Sequence, residues 1–301
     1  MPIRLAVLFA LLVYLVLASR DTWNQISWEF FRRSPLLAMS LVAIVCNAVF
    51  PAWKYHWLYH RCGAPITYRT ALILELTTAS LSLLMPGKTE NMVRAAVLKS
   101  RFGMSWRHGL WVTVYHLYTT LIALLATLSV WAGVMRVYSP AASLALAVAI
   151  LICSWIPIWL GRRVSWAGLD LFARFRAGDH AIAILFSFVL IASMPLFILL
   201  VFAAQGIEAA PADVVFRSLL LDFLSQLPVS IGGIGVRESG TLWLFRNLAP
   251  ASVLVATGFL TTLFEKLFIA VLGLPFVMGV LRIAKTEKQL DSARDERPVS
   301  A

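Results

Sequence analysis

Apolar residues occupy this chain in long unbroken runs, and polar residues gather between them. Runs of about 20 apolar residues match the hydrocarbon thickness of a bilayer. They predict spanning helices at about Pro2–Ser19, Pro35–Tyr55, Ser105–Met135, Ala141–Leu160, Ile182–Gln205 and Pro250–Leu281. The short alternating strands of a β-barrel do not occur in the pattern. Two apolar stretches, Thr70–Phe102 and Val214–Leu248, read differently. Each starts apolar, breaks at a Pro with Gly, turns polar around an Arg and then resumes. The first break is Met85-Pro86-Gly87-Lys88-Thr89-Glu90-Asn91-Met92-Val93-Arg94. The second is Leu227-Pro228, then Gly232-Gly233-Ile234-Gly235-Val236-Arg237-Glu238. Pro removes a backbone donor, and Gly weakens a helix. In lipid, broken backbone survives only inside protein or beside water. Each stretch is therefore predicted as two half-helices that enter the bilayer and return. The fold class expected is an all-α polytopic membrane protein, with about six full spans plus two re-entrant broken-helix hairpins.

Composition agrees: 60% hydrophobic, 14% charged and a mean hydropathy of +0.82, where soluble domains are near half apolar and a quarter charged. The net charge of +11 would suggest nucleic acid in a soluble protein. Here Lys and Arg are expected in cytoplasmic loops against anionic headgroups, and no nucleic-acid partner is expected. With the N-terminus inside and both broken stretches re-entrant, 18 of the 26 Lys and Arg fall inside and 7 outside, with Lys266 mid-span. Lys54, Arg61 and Arg69 are counted as one inside loop. Both termini are then cytoplasmic. The two breaks enter from opposite faces, which is the signature of an inverted repeat with halves at about 35–160 and 182–281. Residues 1–285 form one integral membrane domain. The stretch Gly161–Asp179 suits an interfacial amphipathic helix, and 286–301 a disordered cytoplasmic tail. No small-residue cleavage site follows the first run, so an uncleaved first helix is expected. Cys46, Cys62 and Cys153 have neither metal spacing nor a disulfide framework.

Ionisable groups at membrane depth cost about 2.5–3.5 kcal/mol each, so they face the interior and become functional candidates. They are Glu75, Lys88, Glu90, Arg94, His116, Asp222, Arg237, Glu238, Glu265 and Lys266. Arg94 and Arg237 would open second half-helices, where free N–H groups and the dipole already favour anions. A guanidinium there completes a phosphate site. Gly232, Gly233 and Gly235 let backbone approach a ligand. The substrate-binding set is Arg237, Arg94, Gly232, Gly233, Gly235, Glu238 and Lys88. The plainer alternative pairs Arg237 with Asp222 and lets Arg94 snorkel to headgroups. Glu265, Lys266, Asp222, His116, Glu75 and Glu90 form a charge relay or structural ion pairs. Asp222 or Glu238 would neutralise Lys266, and Arg237 would take Glu265. No Walker, Rossmann or HExxH motif and no Ser/His/Asp set is present. No enzyme activity, cofactor or metal is expected, and an intramembrane enzyme using His116 is the weakest alternative.

The two breaks resemble the transmembrane flippase-like region of lysylphosphatidylglycerol synthases. Met85-Pro86-Gly87 with Arg94-Ala95 carries the looser match, and Leu227-Pro228 with Gly232 through Glu238 the more specific one. The resemblance covers about residues 1–285. Glu90 stands where the family usually has Gly, Asn91 where it has an acid, Ile231 where Pro is common, and Tyr115-His116 where Glu-Arg is common. No aminoacyltransferase domain like that of the full synthases is expected, so the resemblance does not imply lysyl transfer. The resemblance implies an inner-membrane protein that flips or binds an anionic or lipid-linked headgroup, at a midplane site between the two broken helices. The alternative is a non-transporting membrane partner of a lipid-modifying or glycosyltransferase enzyme. A phospholipid or lipid-linked headgroup is the expected ligand, and self-association into a homo-oligomer stays open.

Overall fold

The computed structural model describes residues 34–83, 90–163, 175–226 and 236–281. The expected span at Pro2–Ser19, most of the interfacial helix, both Pro/Gly breaks and the tail lie outside these residues. Among the described residues all regular structure is helical. In chain order the helices are α1 (Ser34–Arg61), α2 (Tyr68–Ser82), α3 (Glu90–Phe102), α4 (Trp106–Val134), α5 (Pro140–Cys153) and α6 (Ile156–Arg163). They continue with α7 (Ala177–Gln205), α8 (Pro211–Gln226), α9 (Val236–Phe245) and α10 (Ala251–Thr262). A π-turn, Leu263–Phe268, follows α10, and the helix then runs on to Leu281.

Among the described residues, five helical stretches are long and apolar enough to cross a bilayer: Ala38–Arg61, Trp106–Val134, Pro140–Arg163, Ala177–Gln205 and Val253–Leu281. They coincide with five of the six expected spans, with shifted ends. α1 runs on past Tyr55 to Arg61. The fourth expected span is divided at Ser154, whose N–H caps α5, because Pro157 lacks the N–H a continuous helix would use. α7 starts at Ala177 rather than Ile182, since the Asp179 carboxylate accepts a bond from the Arg176 N–H at 2.9 Å and suits the positive end of the helix. Ser139 caps α5 at Ala142 N, with Pro140 in the first turn.

The chain divides into two compact units. The first holds Met1–Asn47, Thr120–Ser154 and Ile184–Phe268; the second holds Ala48–Thr119, Trp155–Ala183 and Ile269–Ala301. Short packed helices occur in both, with α8 on α9 in the first unit and α2 on α3 in the second. Each pair flanks one of the two Pro/Gly breaks.

Lipid offers no hydrophobic drive between helices, so close packing and polar contacts must hold them. In the first unit, Ala123, Leu124, Ile191 and Leu219 are buried together, and Phe202 meets Phe245 edge-on at 5.2 Å. In the second, Leu58, Tyr59, Leu74, Leu98 and Val112 form the centre. α5 exposes Leu144, Leu146, Val148 and Ile152, an apolar surface that the acyl chains cover.

Candidate functional site

In the second unit, α2 and α3 bring Glu75, Thr78 and Arg94 together. Glu75 and Thr78 are one turn apart and share a side of α2. Arg94, 3% exposed, donates to Glu75 Oε2 at 2.6 Å and to Thr78 Oγ1 at 3.2 Å. Its Cζ sits 4.1 Å from the centre of the Tyr55 ring. The same ring stacks on His116 at 4.3 Å. The His116 carbonyl and Thr119 Oγ1 accept bonds from Lys54 Nζ at 3.2 and 2.8 Å. Polar contacts thus run from α2 and α3 through Tyr55 of α1 to α4. Glu90 is buried at the start of α3 and accepts a bond from Asn91 at 3.3 Å.

Two expectations change here. Arg94 does not snorkel: it is buried, and Glu75 is its ion-pair partner. Lys54 is not a loop cation; it is fully buried within α1. The apolar run seemed to end near Tyr55, but α1 continues for another six residues and carries Lys54 inward. Removing it from the inside count leaves 17 against 7. Lys54, Tyr55 and Thr78 were missed as site residues. Their signal was a cation inside the aromatic run Trp53-Lys54-Tyr55-His56-Trp57. Nearby, Tyr115 Oη lies 2.9 Å from His180 Nδ1 and its ring stacks on Phe175 at 4.2 Å, while Arg61 pairs with Asp179 at 3.2 Å.

In the first unit, Arg237 is the second residue of α9 and is 3% exposed. The carboxylates whose fields act on it are Asp222 of α8 and Glu238 beside it in sequence. Lys266 lies half-buried in the π-turn. α9 is held close on both flanks. A Cβ at Gly240 would come within 2.6 Å of Leu221 of α8, and one at Gly258 of α10 within 2.9 Å of the Glu238 Cα. Arg217 of α8 pairs with Asp213 at 2.8 Å and also donates to the Leu244 carbonyl at the end of α9. That carbonyl has no acceptor-to-donor partner further along the helix, so a cation there is favourable. Lys88, Gly232, Gly233, Gly235 and the Glu265 side chain lie outside the described residues. Among the described residues no group of three His, Cys, Asp or Glu side chains is placed to hold a metal, and Cys46, Cys62 and Cys153 are free thiols.

Among the described residues, five long apolar helices, with buried cations on two pairs of short helices, define a multi-pass membrane protein. Residues 3–273 match the lysylphosphatidylglycerol synthase TM region, and the chain belongs to that family. No curated protein and no solved structure matches it. Family membership gives the chain a lipid-related role in the membrane.

Proposed function

We propose that the protein moves an anionic or lipid-linked headgroup between leaflets of the inner membrane, with Arg237 engaging the phosphate. The observation that carries this reading is the burial of Arg237, at 3% exposure, in the first turn of a short helix that follows a glycine-rich break. Free N–H groups, helix dipole and guanidinium then act on one anion. α2, α3, α8 and α9 have 15, 13, 16 and 10 residues. At about 1.5 Å per residue none reaches the roughly 30 Å of a hydrocarbon core. This supports reading the two pairs as re-entrant hairpins of an inverted repeat. Gly232, Gly233 and Gly235 supply backbone to the headgroup, and Glu238 and Asp222 balance Arg237 when no headgroup is present. Arg94 and Lys88 serve a second contact, which a phosphate reaches by displacing Glu75 from Arg94. No nucleotide-binding motif is present, so a gradient or trapping of the product drives the movement.

Binding of phosphatidylglycerol to the purified protein tests the headgroup contact. Loss of one charge-assisted contact predicts roughly 10–100-fold weaker binding in Arg237→Ala, with Arg237→Lys in between. Equal affinity in all three proteins rules the contact out.

A second reading has its own observation. Arg94 has Glu75, Thr78 and Tyr55 as partners inside its own unit, which suits a purely structural polar core in a non-transporting partner of a lipid-modifying enzyme. Co-purification of such an enzyme, together with unaltered lipid distribution on deleting this chain alone, favours that reading.

A further inference from the structure

Hydroxyls in apolar helices usually bond back to their own backbone, and most here do. Thr77 bonds Ile73 O at 2.7 Å, Thr78 bonds Leu74 O at 2.6 Å, and Thr127 bonds Ala123 O at 2.8 Å. In the first unit Ser218 bonds Val214 O at 2.6 Å and Thr261 bonds Thr257 O at 2.8 Å. Thr241 and Thr262 depart from this habit. They are 0% and 8% exposed, and neither Oγ1 has a hydrogen-bond partner. A buried hydroxyl without a partner is unfavourable, so a pair of them asks for an occupant.

Thr241 belongs to the packing of α9 on α10. A Cβ at Gly258 would stand 2.9 Å from the Glu238 Cα and 3.4 Å from Thr241 Oγ1, so this side of α9 faces Gly258. Thr262 is one turn beyond Gly258 and shares its side of α10. Glu238 is half-buried on α9, one turn from Thr241. Directly after Thr262 the chain enters the π-turn Leu263–Phe268, where the usual carbonyl ladder is interrupted, a feature common at functional sites. Beside Gly258 the two helices are in near-backbone contact, which leaves no room there for a phosphate. A carboxylate and two hydroxyls are hard oxygen donors, suited to a small hard cation.

We propose that Glu238, Thr241 and Thr262 bind a monovalent alkali cation, sodium in preference to potassium. Its role in transport rests on the flipping reading, whereas the site itself does not. With the cation in place the Glu238 charge is drawn from Arg237, and Asp222 alone remains to balance the guanidinium. Arg237 is then more open to an anionic headgroup, so cation and headgroup favour each other's binding.

Thermal unfolding of the full chain in detergent, in sodium, potassium or N-methylglucamine chloride at equal ionic strength, tests the site. Saturating sodium raises Tm over N-methylglucamine by on the order of 5 °C in the unaltered protein. In Thr241→Val/Thr262→Val the sodium shift disappears, while Tm in N-methylglucamine is unchanged or higher, because two unsatisfied hydroxyls are gone. A sodium shift absent from the unaltered protein, or equal in the double variant, overturns the proposal. Should the variant fail to fold, saturable binding of radioactive sodium to the unaltered protein, weakened at least tenfold in Glu238→Gln, supports it, and no saturable binding overturns it. An intact sodium shift with no lipid movement in any salt supports the site and counts against the proposed function.

Discussion

Arg94, at 3% exposure, has a carboxylate at 2.6 Å, a hydroxyl at 3.2 Å and an aromatic ring under its Cζ. Removing one partner of such a pair leaves a buried charge uncompensated, at a cost of about 3–5 kcal/mol, whereas replacing both with apolar groups is often neutral. Glu75→Gln is therefore expected to lower Tm markedly, and Glu75→Gln/Arg94→Met to recover most of the loss; thermal unfolding in one detergent checks both. A double variant as unstable as the single one would count against the pair as the main support of Arg94. The burial of Glu90, Arg94 and Arg237 was legible, because ionisable groups stand out against apolar sequence, while that of Lys54 was not. Nor were the partners legible. Glu75 and Arg94 are 19 residues apart, and only the packing of α2 on α3 brings them together. Thr241 and Thr262 carry no charge and look like any threonine in an apolar run.

At the scale of elements, close approach does the work that hydrophobic burial does in water. A Cβ at Gly273 would run into the Leu76 carbonyl and the Ser80 side chain of α2, and Ser80 Oγ itself donates to the Ala270 carbonyl at 2.5 Å. Among the described residues, a Cβ at Gly279 would meet nothing within 4 Å. Gly273→Ala should destabilise by about 1–3 kcal/mol through overpacking, and Gly279→Ala should be neutral or stabilising by about 0.5–1 kcal/mol. Similar Tm values for the two variants would contradict this packing. Arg217→Ala, which loses both the Asp213 pair and the Leu244 carbonyl, is expected to weaken phosphatidylglycerol binding through loosening of α9, and Arg217→Lys to restore it only in part. Binding that is unaffected would separate Arg217 from the positioning of Arg237. The long helices were legible because bilayer thickness fixes their length. The π-turn was not: Leu263-Phe264-Glu265-Lys266-Leu267-Phe268 has the composition of an ordinary α-helix. The early start of α7 was missed because Asp179 was read as the end of the interfacial stretch Gly161–Asp179, whereas its bond from the Arg176 N–H puts it in the first turn of α7.

For the whole molecule, apolar runs and loop charge give a multi-pass membrane protein, and the family match over residues 3–273 agrees. The grouping into two units was not readable from sequence, since each collects segments from three separate parts of the chain. The Pro/Gly breaks carried most of the functional reading because Gly and Pro are costly inside an apolar helix. The central claim is that buried Arg237 engages a headgroup that crosses the bilayer. Transbilayer movement of fluorescent phosphatidylglycerol in liposomes, read by chemical quenching of the outer leaflet, tests it most directly. The unaltered protein should accelerate movement over empty liposomes, Arg237→Lys should retain part of that rate, and folded Arg237→Ala should fall to the empty-liposome rate. Movement as fast in Arg237→Ala as in the unaltered protein would contradict the account.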